Sequence, residues 1–109
     1  MRHRDSFFAA GWIVTAYEIL VCDGVPCGYL AVEDRPDTVL VRELVLSPEF
    51  QSRGIGSTVL RQIMEHARSR GVTVHHGTFL MNRAANLYLR LGFREIGRTD
   101  THVLFEWQA

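Results

Sequence analysis

The chain has 109 residues, of which 47% are hydrophobic and 22% charged, a length and composition typical of one globular domain. Its twelve basic residues are all arginine and balance twelve acidic residues to a net charge of zero. The absence of lysine excludes a Walker-type phosphate loop, a pyridoxal Schiff base, a kinase active site and a lysine-tethered biotin, and the zero net charge argues against a nucleic-acid-binding protein.

The net charge conceals two regions of opposite sign. The segment from Glu18 to Glu49 contains seven acidic residues and two arginines, whereas Phe50–Ala109 contains eight arginines and four acidic residues. Clustered charge raises the local concentration of ions of opposite sign, so this asymmetry predicts that the basic half meets an anionic ligand and the acidic half a cationic one.

The segment 1–16 predicts little regular structure beyond a short helix at Asp5–Trp12. No apolar run reaches the about eighteen residues of a membrane span, and the apolar stretch after the arginine-rich start is too short and interrupted for a signal peptide. We therefore expect a cytoplasmic protein that does not bind membranes, folded as a single domain over 1–109.

Three strand-like runs follow, at Tyr17–Cys22, Cys27–Glu33 and Thr38–Leu46. They are rich in valine and leucine and are separated by turn-forming pairs, so they predict an antiparallel meander.

The cysteines flank the first of these turns. An Asp-Gly pair at 23–24 predicts a two-residue hairpin loop, in which Cys22 pairs with Val25 and Cys27 with Leu20. The two thiols would then be diagonal across the hairpin, and two thiols alone make a poor metal site. We expect reduced cysteines in the strands and no bound metal.

From Ile55 the apolar period changes from two to about 3.6, which predicts an amphipathic helix. Gly71 is placed to end this helix, because glycine readily adopts the left-handed conformation found after the last helical residue. The apolar stripe comprises Ile55, Val59, Leu60, Ile63, Met64 and Ala67.

The rest of the chain predicts one more helix between strands. Val72–Leu80 has the pattern of a strand, Asn82 is placed to cap a short helix that Gly92 ends, and Phe93–Arg98 and Thr101–Trp107 complete the pattern. The order β-β-β-α-β-α-β-β predicts an α/β fold with a mixed, largely antiparallel sheet and helices on its faces.

Two glycines one residue apart, Gly54 and Gly56, lie in the segment Gln51–Ser57 before the long helix. Such glycines let the backbone approach a bulky anion, which the free N–H groups and the dipole of the helix then hold. Arg53 adds a planar donor for phosphate. Val59 occupies the position of the third glycine of a dinucleotide fingerprint, which excludes that motif, while a glycine-rich turn without a ligand is the simpler alternative.

A second motif accompanies these glycines. Gln51-x-x-Gly54-x-Gly56 resembles the Q/R-x-x-G-x-G/A signature of the GCN5-related N-acetyltransferase (GNAT) superfamily. In that superfamily the signature binds the pyrophosphate of acetyl-coenzyme A. Residues 82–93, NRAANLYLRLGF, resemble the second signature of the superfamily, N-x-A-x-x-L-Y-x-x-L-G-F. The resemblance implies a GNAT-like fold with an acetyl-coenzyme A-binding core at 38–93. It also implies transfer of an acetyl group to a primary amine by direct attack in a ternary complex, without a metal.

The resemblance also implies roles for individual residues. Tyr88 would be the general acid that protonates the departing thiolate, although a core aromatic is the alternative. The backbone N–H of Leu46, at a bulge that opens the sheet, would polarise the thioester carbonyl, and Leu44 would pair with the pantetheine arm. Asn82 would lie near the cofactor. The loop residues expected to bind the cofactor are Gln51, Ser52, Arg53, Gly54, Ile55, Gly56 and Ser57.

The general base is less clearly marked. Glu43, on the third strand, lies close to where several relatives place a catalytic glutamate; Glu33 on the neighbouring strand and a chain of waters are the alternatives. His75 and His76 are consecutive strand residues that point to opposite faces, so at most one could face a site, and we interpret both as sheet residues.

Only sixteen residues precede Tyr17, whereas the family usually begins with a strand and one or two helices that shape the acceptor pocket. We expect a homodimer to cover the sheet that this leaves open. The acceptor, a small-molecule or peptide amine, is not identified by any residue. A catalytically inactive coenzyme A-binding or interaction module of the same fold is the alternative function.

Overall fold

The structure is a computed structural model that describes residues 17–80 and 84–109. The helix expected at Asp5–Trp12 lies outside these residues. Within them, no helix combines the length and apolar character needed to cross a membrane. The elements are β1 (Glu18–Cys22), β2 (Val25–Asp34), β3 (Thr38–Leu46), a 3-10 turn (Pro48–Phe50), α1 (Ile55–Arg70), β4 (Thr73–Phe79), α2 (Ala84–Arg90), β5 (Arg94–Arg98) and β6 (His102–Trp107).

The six strands form one sheet in the order β1-β2-β3-β4-β6-β5. Every neighbouring pair is antiparallel except β3 and β4, which are parallel and connected through α1. The predicted element order and the mixed, largely antiparallel sheet are therefore confirmed.

The first hairpin differs from its predicted register. Cys22 pairs with Val25 as expected, but Leu20 lies opposite Gly28, because Cys27 is an additional residue in a bulge. The proline before Cys27 has no N–H for the ladder, and proline in a sheet is commonly found at such irregularities. Both cysteines are free thiols, and the buried Cys27 Sγ lies 3.5 Å from the Leu20 carbonyl oxygen.

Helix α1 follows its sequence pattern closely. All the residues of the predicted apolar stripe are buried. Gly71 adopts a left-handed conformation with φ of 69°, and its N–H donates to the carbonyl oxygens of Ala67 and Arg68, as predicted for the end of the helix.

Both helices pack against the same face of the sheet. Phe105 and Trp107 are two residues apart on β6 and so point to one face, where Phe105 stacks on Tyr88 of α2 and Trp107 lies below the guanidinium of Arg68 on α1. The apolar core lies between this face and the two helices.

The parallel pair β3–β4 is closed at one end and open at the other. Its paired residues run from Thr38 and Thr73 to Val41 and His76, after which the two strands separate. Next to the last pair, Arg42 is an additional residue in β3 relative to β2, a bulge that bends the strand. We call the point of separation the fork.

An ion-paired cluster closes the end of the sheet away from the fork. Asp34, at the end of β2, accepts hydrogen bonds from His66 Nε2 at 2.7 Å and from Arg70 of α1. Arg70 also donates to the carbonyl oxygens of Arg35 and Pro36, at 2.7 and 3.2 Å. This cluster attaches the last turns of α1 to the turn between β2 and β3.

Candidate active site

A cavity of about 370 Å³ lies between the end of β3, the start of α1 and α2. It is a cleft open to solvent, of the size that binds small molecules and cofactors. Its lining residues come from three separate parts of the sequence: Leu44, Val45, Leu46, Gln51, Ser52, Gly54, Gly56, Ser57, Asn86, Leu87, Tyr88 and Arg90.

One wall of the cavity is the edge of β3 beyond the fork. The N–H of Ser47 donates to the Cys27 carbonyl oxygen of β2 at 2.8 Å. Alternate residues of an extended strand direct their backbone groups to opposite edges, so Leu44 and Leu46 direct theirs away from β2 and toward the fork. Gln51 Nε2 donates to the Leu46 carbonyl oxygen at 3.0 Å. Both residues expected to offer backbone groups therefore lie on the open edge. The bulge expected at Leu46 lies instead at Arg42, four residues earlier in β3.

The loop before α1 forms a second wall. Ser52 and Gly54 adopt left-handed conformations, with φ of 62° and 81°, so that the chain turns sharply into the helix. Gly54 is the N-cap and no described side chain caps the helix, which leaves the N–H groups of the first turn for another acceptor. With no acidic residue in that turn, this end of α1 is suited to an anion.

Gly56 lets α1 approach its neighbours closely. A Cβ atom at this position would lie 3.3 Å from Leu87 Cδ2 of α2 and 3.8 Å from Leu46 Cδ1 of β3. The second glycine of the motif therefore allows the helix start, the open strand edge and α2 to meet around one cavity.

Two residues of the motif do not line the cavity. The guanidinium of Arg53 lies over the ring of Phe50, 5.4 Å from its centre, and Ile55 is buried in the core. Only their backbone or a movement of the arginine side chain could contribute to binding. Asn82 lies outside the described residues.

Tyr88 lines the cavity from the core side. The residue is only 2% exposed, and its ring is surrounded by those of His76, Phe93 and Phe105, with centres 4.7, 5.4 and 5.5 Å away. Burial raises the pKa of the phenol, so the hydroxyl stays protonated and available as a donor. Packing and access to the cavity are thus combined in one side chain.

The two candidate bases lie in different environments. Glu43 does not line the cavity, and it accepts a hydrogen bond from the Tyr17 hydroxyl, which raises the pKa of that phenol. Glu33 lies 3.0 Å from Arg35 and 3.1 Å from Arg42, and these guanidinium groups lower its pKa. Glu33 is thereby a weaker base than an ordinary carboxylate.

These ion pairs bear on the prediction that the acidic segment Glu18–Glu49 attracts a cationic ligand. Glu33 is paired with two arginines, and Asp34 with His66 and Arg70. Two of the seven acidic residues of this half are therefore paired with cations within the fold, and the partners of Glu33 are the two arginines of the same half.

The histidine pair divides between the two faces as predicted. His75 is partly exposed and its Nε2 lies 2.9 Å from Glu106, whereas His76 is buried on the side of the helices.

Among residues 17–80 and 84–109, no three His, Cys, Asp or Glu side chains are grouped so that they could hold a metal ion.

Four cavity residues were not expected from the sequence: Val45, Asn86, Leu87 and Arg90. Three of them lie on α2, where Asn86 and Arg90 are four residues apart and so share one side of the helix with each other. Helical spacing from Tyr88 does not identify Arg90, because residues two apart on a helix lie on different sides of it. The structure shows Arg90 as a cation at the cavity.

The comparisons with known proteins agree with this arrangement. Residues 13–95 match a family model described as an acetyltransferase (GNAT) domain. The chain belongs to the GNAT family. The resemblance of the two sequence motifs is thereby confirmed.

Curated relatives are larger than this chain. It is 28% identical over 96 residues to an uncharacterized N-acetyltransferase of Methanocaldococcus jannaschii, covering 86% of this chain and 41% of that protein. It is 31% identical to N-acetylaspartate synthetase of Danio rerio and 30% identical to L-2,4-diaminobutyric acid acetyltransferase of Streptomyces coelicolor. These matches cover 83% and 76% of this chain, but only 33% and 52% of those proteins.

Solved structures show the same fold. The PaiA N-acetyltransferase of Thermoplasma acidophilum, solved in complex with coenzyme A, matches 89% of this chain and 62% of its own with a TM-score of 0.77 at 16% identity. Naa50 of Arabidopsis thaliana, solved with a bisubstrate analogue, matches 85% of this chain and 72% of its own, with a TM-score of 0.76 at 13% identity.

Proposed function

We propose that this protein is an N-acetyltransferase that moves the acetyl group of acetyl-coenzyme A to a primary amine within a ternary complex. The observation that carries the proposal is the position of the Tyr88 phenol, at a cavity whose other walls are an open strand edge and an uncapped helix N-terminus. Family membership and the coenzyme A bound to one structural neighbour support it.

In this proposal the walls of the cavity bind different parts of the cofactor. The pyrophosphate lies at the start of α1, where N–H groups and the helix dipole offset its charge. The pantetheine arm pairs with the backbone of Leu44 and Leu46 as an added strand at the open edge of β3. Arg90 lies at the same cavity and supplies a positive charge for a phosphate.

The chemical step follows from this placement. The amine nitrogen attacks the thioester carbon, whose oxygen accepts a hydrogen bond from the Leu46 N–H. The carbon–sulfur bond breaks, and the Tyr88 hydroxyl donates its proton to the departing thiolate. The amine proton passes to water, or through water to Glu43, which does not line the cavity. A proton from solvent then restores the Tyr88 phenol. With its raised pKa, Tyr88 acts by donating to a thiolate that is already developing, and does not ionise beforehand.

The setting of the activity is part of the proposal. We propose a cytoplasmic homodimer in which residues 38–93 form the cofactor-binding core of a single domain, and an acceptor that is a small-molecule or peptide amine. Nucleic acids, membranes and a bound metal have no part in it.

The test is release of free thiol from acetyl-coenzyme A with a panel of amines, polyamines, amino acids, aminoglycosides and peptides. We expect Tyr88→Phe to lower kcat by about 100-fold or more, because it removes the general acid, while the Kd for acetyl-coenzyme A changes by less than about twofold. Tyr29→Phe is the matched control, since Tyr29 does not line the cavity and its neighbour on β2, Leu30, is the residue that faces the core. Cys22→Ser removes the more exposed protein thiol from the assay background.

Binding of acetyl-coenzyme A without thiol release on any acceptor would favour the alternative, an inactive coenzyme A-binding module. A Tyr88→Phe variant as active as the parent would contradict the proposed role of the tyrosine. The group that protonates the departing thiolate would then have to be a different one.

A further inference from the structure

His76 occupies the fork between β3 and β4. It belongs to the last pair of the parallel ladder, opposite Val41, and it is buried, with 6% of its surface exposed. Its ring Nδ1 lies 2.8 Å from the Val41 carbonyl oxygen. A side chain of β4 therefore bonds to the backbone of β3 at the point where the two strands begin to separate.

This contact fixes the protonation of the ring. A carbonyl oxygen can only accept, so the proton is on Nδ1, and Nε2 carries a lone pair in the neutral ring. Burial lowers the pKa of the imidazole, in keeping with a neutral histidine in the core. The ring is thus held in one tautomer and one orientation by the backbone at the fork.

The same ring packs against Tyr88. The two ring centres are 4.7 Å apart, with an angle of 37° between the planes. The other aromatic neighbours of Tyr88, Phe93 and Phe105, are anchored in the core. Among these three described aromatic neighbours of Tyr88, His76 is the one whose side chain bonds to the backbone of β3, the strand whose open edge lines the cavity.

We infer that His76 is a positioning residue, which holds the Tyr88 hydroxyl at a fixed place relative to the open edge of β3; this inference rests on the proposed function. The position needs both a flat ring, to pack on the phenol, and a donor, to bond the Val41 carbonyl. Phenylalanine provides only the ring and asparagine only the donor, so neither replaces histidine. Misplacement of a catalytic group by about 1 Å can cost about 100-fold in rate.

The kinetic test combines His76→Asn and His76→Phe with Tyr88→Phe. We expect each His76 variant to lower kcat by about 10-fold to 100-fold with the KM for acetyl-coenzyme A changed by less than about twofold. In the Tyr88→Phe background, the same His76 variants should lower kcat by less than about threefold, since the group that they position is already absent.

Two kinetic outcomes would overturn the inference. One is a parental kcat in His76→Asn, the variant that retains the hydrogen bond and so remains informative if His76→Phe fails to fold. The other is an effect that multiplies fully with that of Tyr88→Phe, which would indicate that His76 acts on stability or on another group.

A second readout does not depend on turnover. The chain has three tyrosines, so fluorine NMR of protein labelled with 3-fluorotyrosine should show three resonances, with Tyr88 identified by its loss in Tyr88→Phe. We expect His76→Asn to shift or broaden the Tyr88 resonance and leave those of Tyr17 and Tyr29 unchanged. Nitrogen-15 NMR of the wild-type imidazole should show the Nδ1–H tautomer.

An unchanged Tyr88 resonance, or an Nε2–H tautomer in the wild type, would overturn the positioning role even if the enzyme is active. Conversely, absence of thiol release by the wild type would refute the proposed function, while the two NMR measurements would still test the contact between His76 and Tyr88 and the hydrogen bond from His76 to Val41.

Discussion

The two ends of the β3–β4 pair use the same strands for opposite purposes. At the closed end, the Thr38 and Thr73 hydroxyls lie 3.0 Å apart, Val39 is buried, and Asp34 holds α1 through His66 and Arg70. At the fork the strands separate, and the backbone beyond it lines a cavity. The difference shows how a fold keeps backbone groups available for a ligand: it concentrates stabilising contacts at one end so that pairing can end at the other.

The largest expected effect at the closed end comes from Asp34→Asn. The Asp34 side chain is only 10% exposed and bonds two cationic or polar partners, so its neutralisation should lower the free energy of unfolding by about 2 kcal/mol. Urea denaturation measures this loss. The Kd for acetyl-coenzyme A should stay within about twofold, because the cluster lies away from the cavity.

Glu65→Gln is the control for this prediction, since it breaks the exposed Glu65–Arg68 pair on the same helix. It should cost at most about 0.5 kcal/mol. If Asp34→Asn were as mild as Glu65→Gln, the closed end would not be the stabilising half of the pair.

A smaller effect should separate the two ends of α1. Gly54 and Gly71 both adopt left-handed conformations, with φ of 81° and 69°, and a Cβ would meet no atom within 4 Å at either position. Alanine at each site should therefore cost about 1 kcal/mol through backbone strain alone. Only Gly54→Ala should weaken binding of acetyl-coenzyme A, by about tenfold, because only Gly54 lines the cavity.

Chemical denaturation and calorimetric titration with acetyl-coenzyme A measure both quantities. Equal loss of affinity in the two variants would show that strain anywhere in the helix reaches the ligand, and would remove the distinction between its ends.

The smallest effect is a dependence of stability on pH at the fork. Burial lowers the pKa of His76 below the value of about 6.5 for an unfolded histidine, so the unfolded state takes up a proton first as pH falls. Stability should be full above pH of about 6.5 and fall below it, with a slope from this residue of at most about 1.4 kcal/mol per pH unit.

His76→Asn should lack this contribution, which the parent loses as pH falls below about 6.5. The carboxylates with lowered pKa values, Glu33, Glu95 and Glu106, lose their contributions only at lower pH, below the about 4.3 of an unfolded glutamate. Urea midpoints at several pH values measure the difference between the variant and the parent. Parallel pH profiles would show that His76 does not titrate in this window.

Much of the fold was predictable because local and global preferences agree. Three sequence patterns each predict a single structure: the Asp-Gly turn, the apolar stripe of α1 and the glycine that follows this helix. The structure contains all three. The bulges were harder, because a bulge is a property of two strands and the sequence shows one at a time. In β3 the signal was present as a change of phase: the core-facing residues are Val39 and Val41, then Leu44 and Leu46.

Site residues that belong to a local sequence motif were predictable. Site residues whose role depends on contacts with distant parts of the sequence were not. The loop at 51–57 and Tyr88 follow from their motifs, and most of these residues line the cavity. The bond from His76 to Val41, the hydrogen bond between Tyr17 and Glu43, and the presence of Arg90 at the cavity join residues distant in the sequence. No local pattern contains such pairings, because they arise from strand register and helix packing.

The bulge at Arg42 makes the structure of β3 near the fork depend on the length of the strand more than on which residue occupies position 42. Arg42 is the additional residue between core-facing Val41 and core-facing Leu44, so deleting its codon would restore regular alternation without turning any other side chain to the other face. A deletion of this one residue would therefore remove the bulge, which no substitution at the position does. Point changes at Arg42 should be tolerated in descendants of this gene, whereas the length of β3 should not vary.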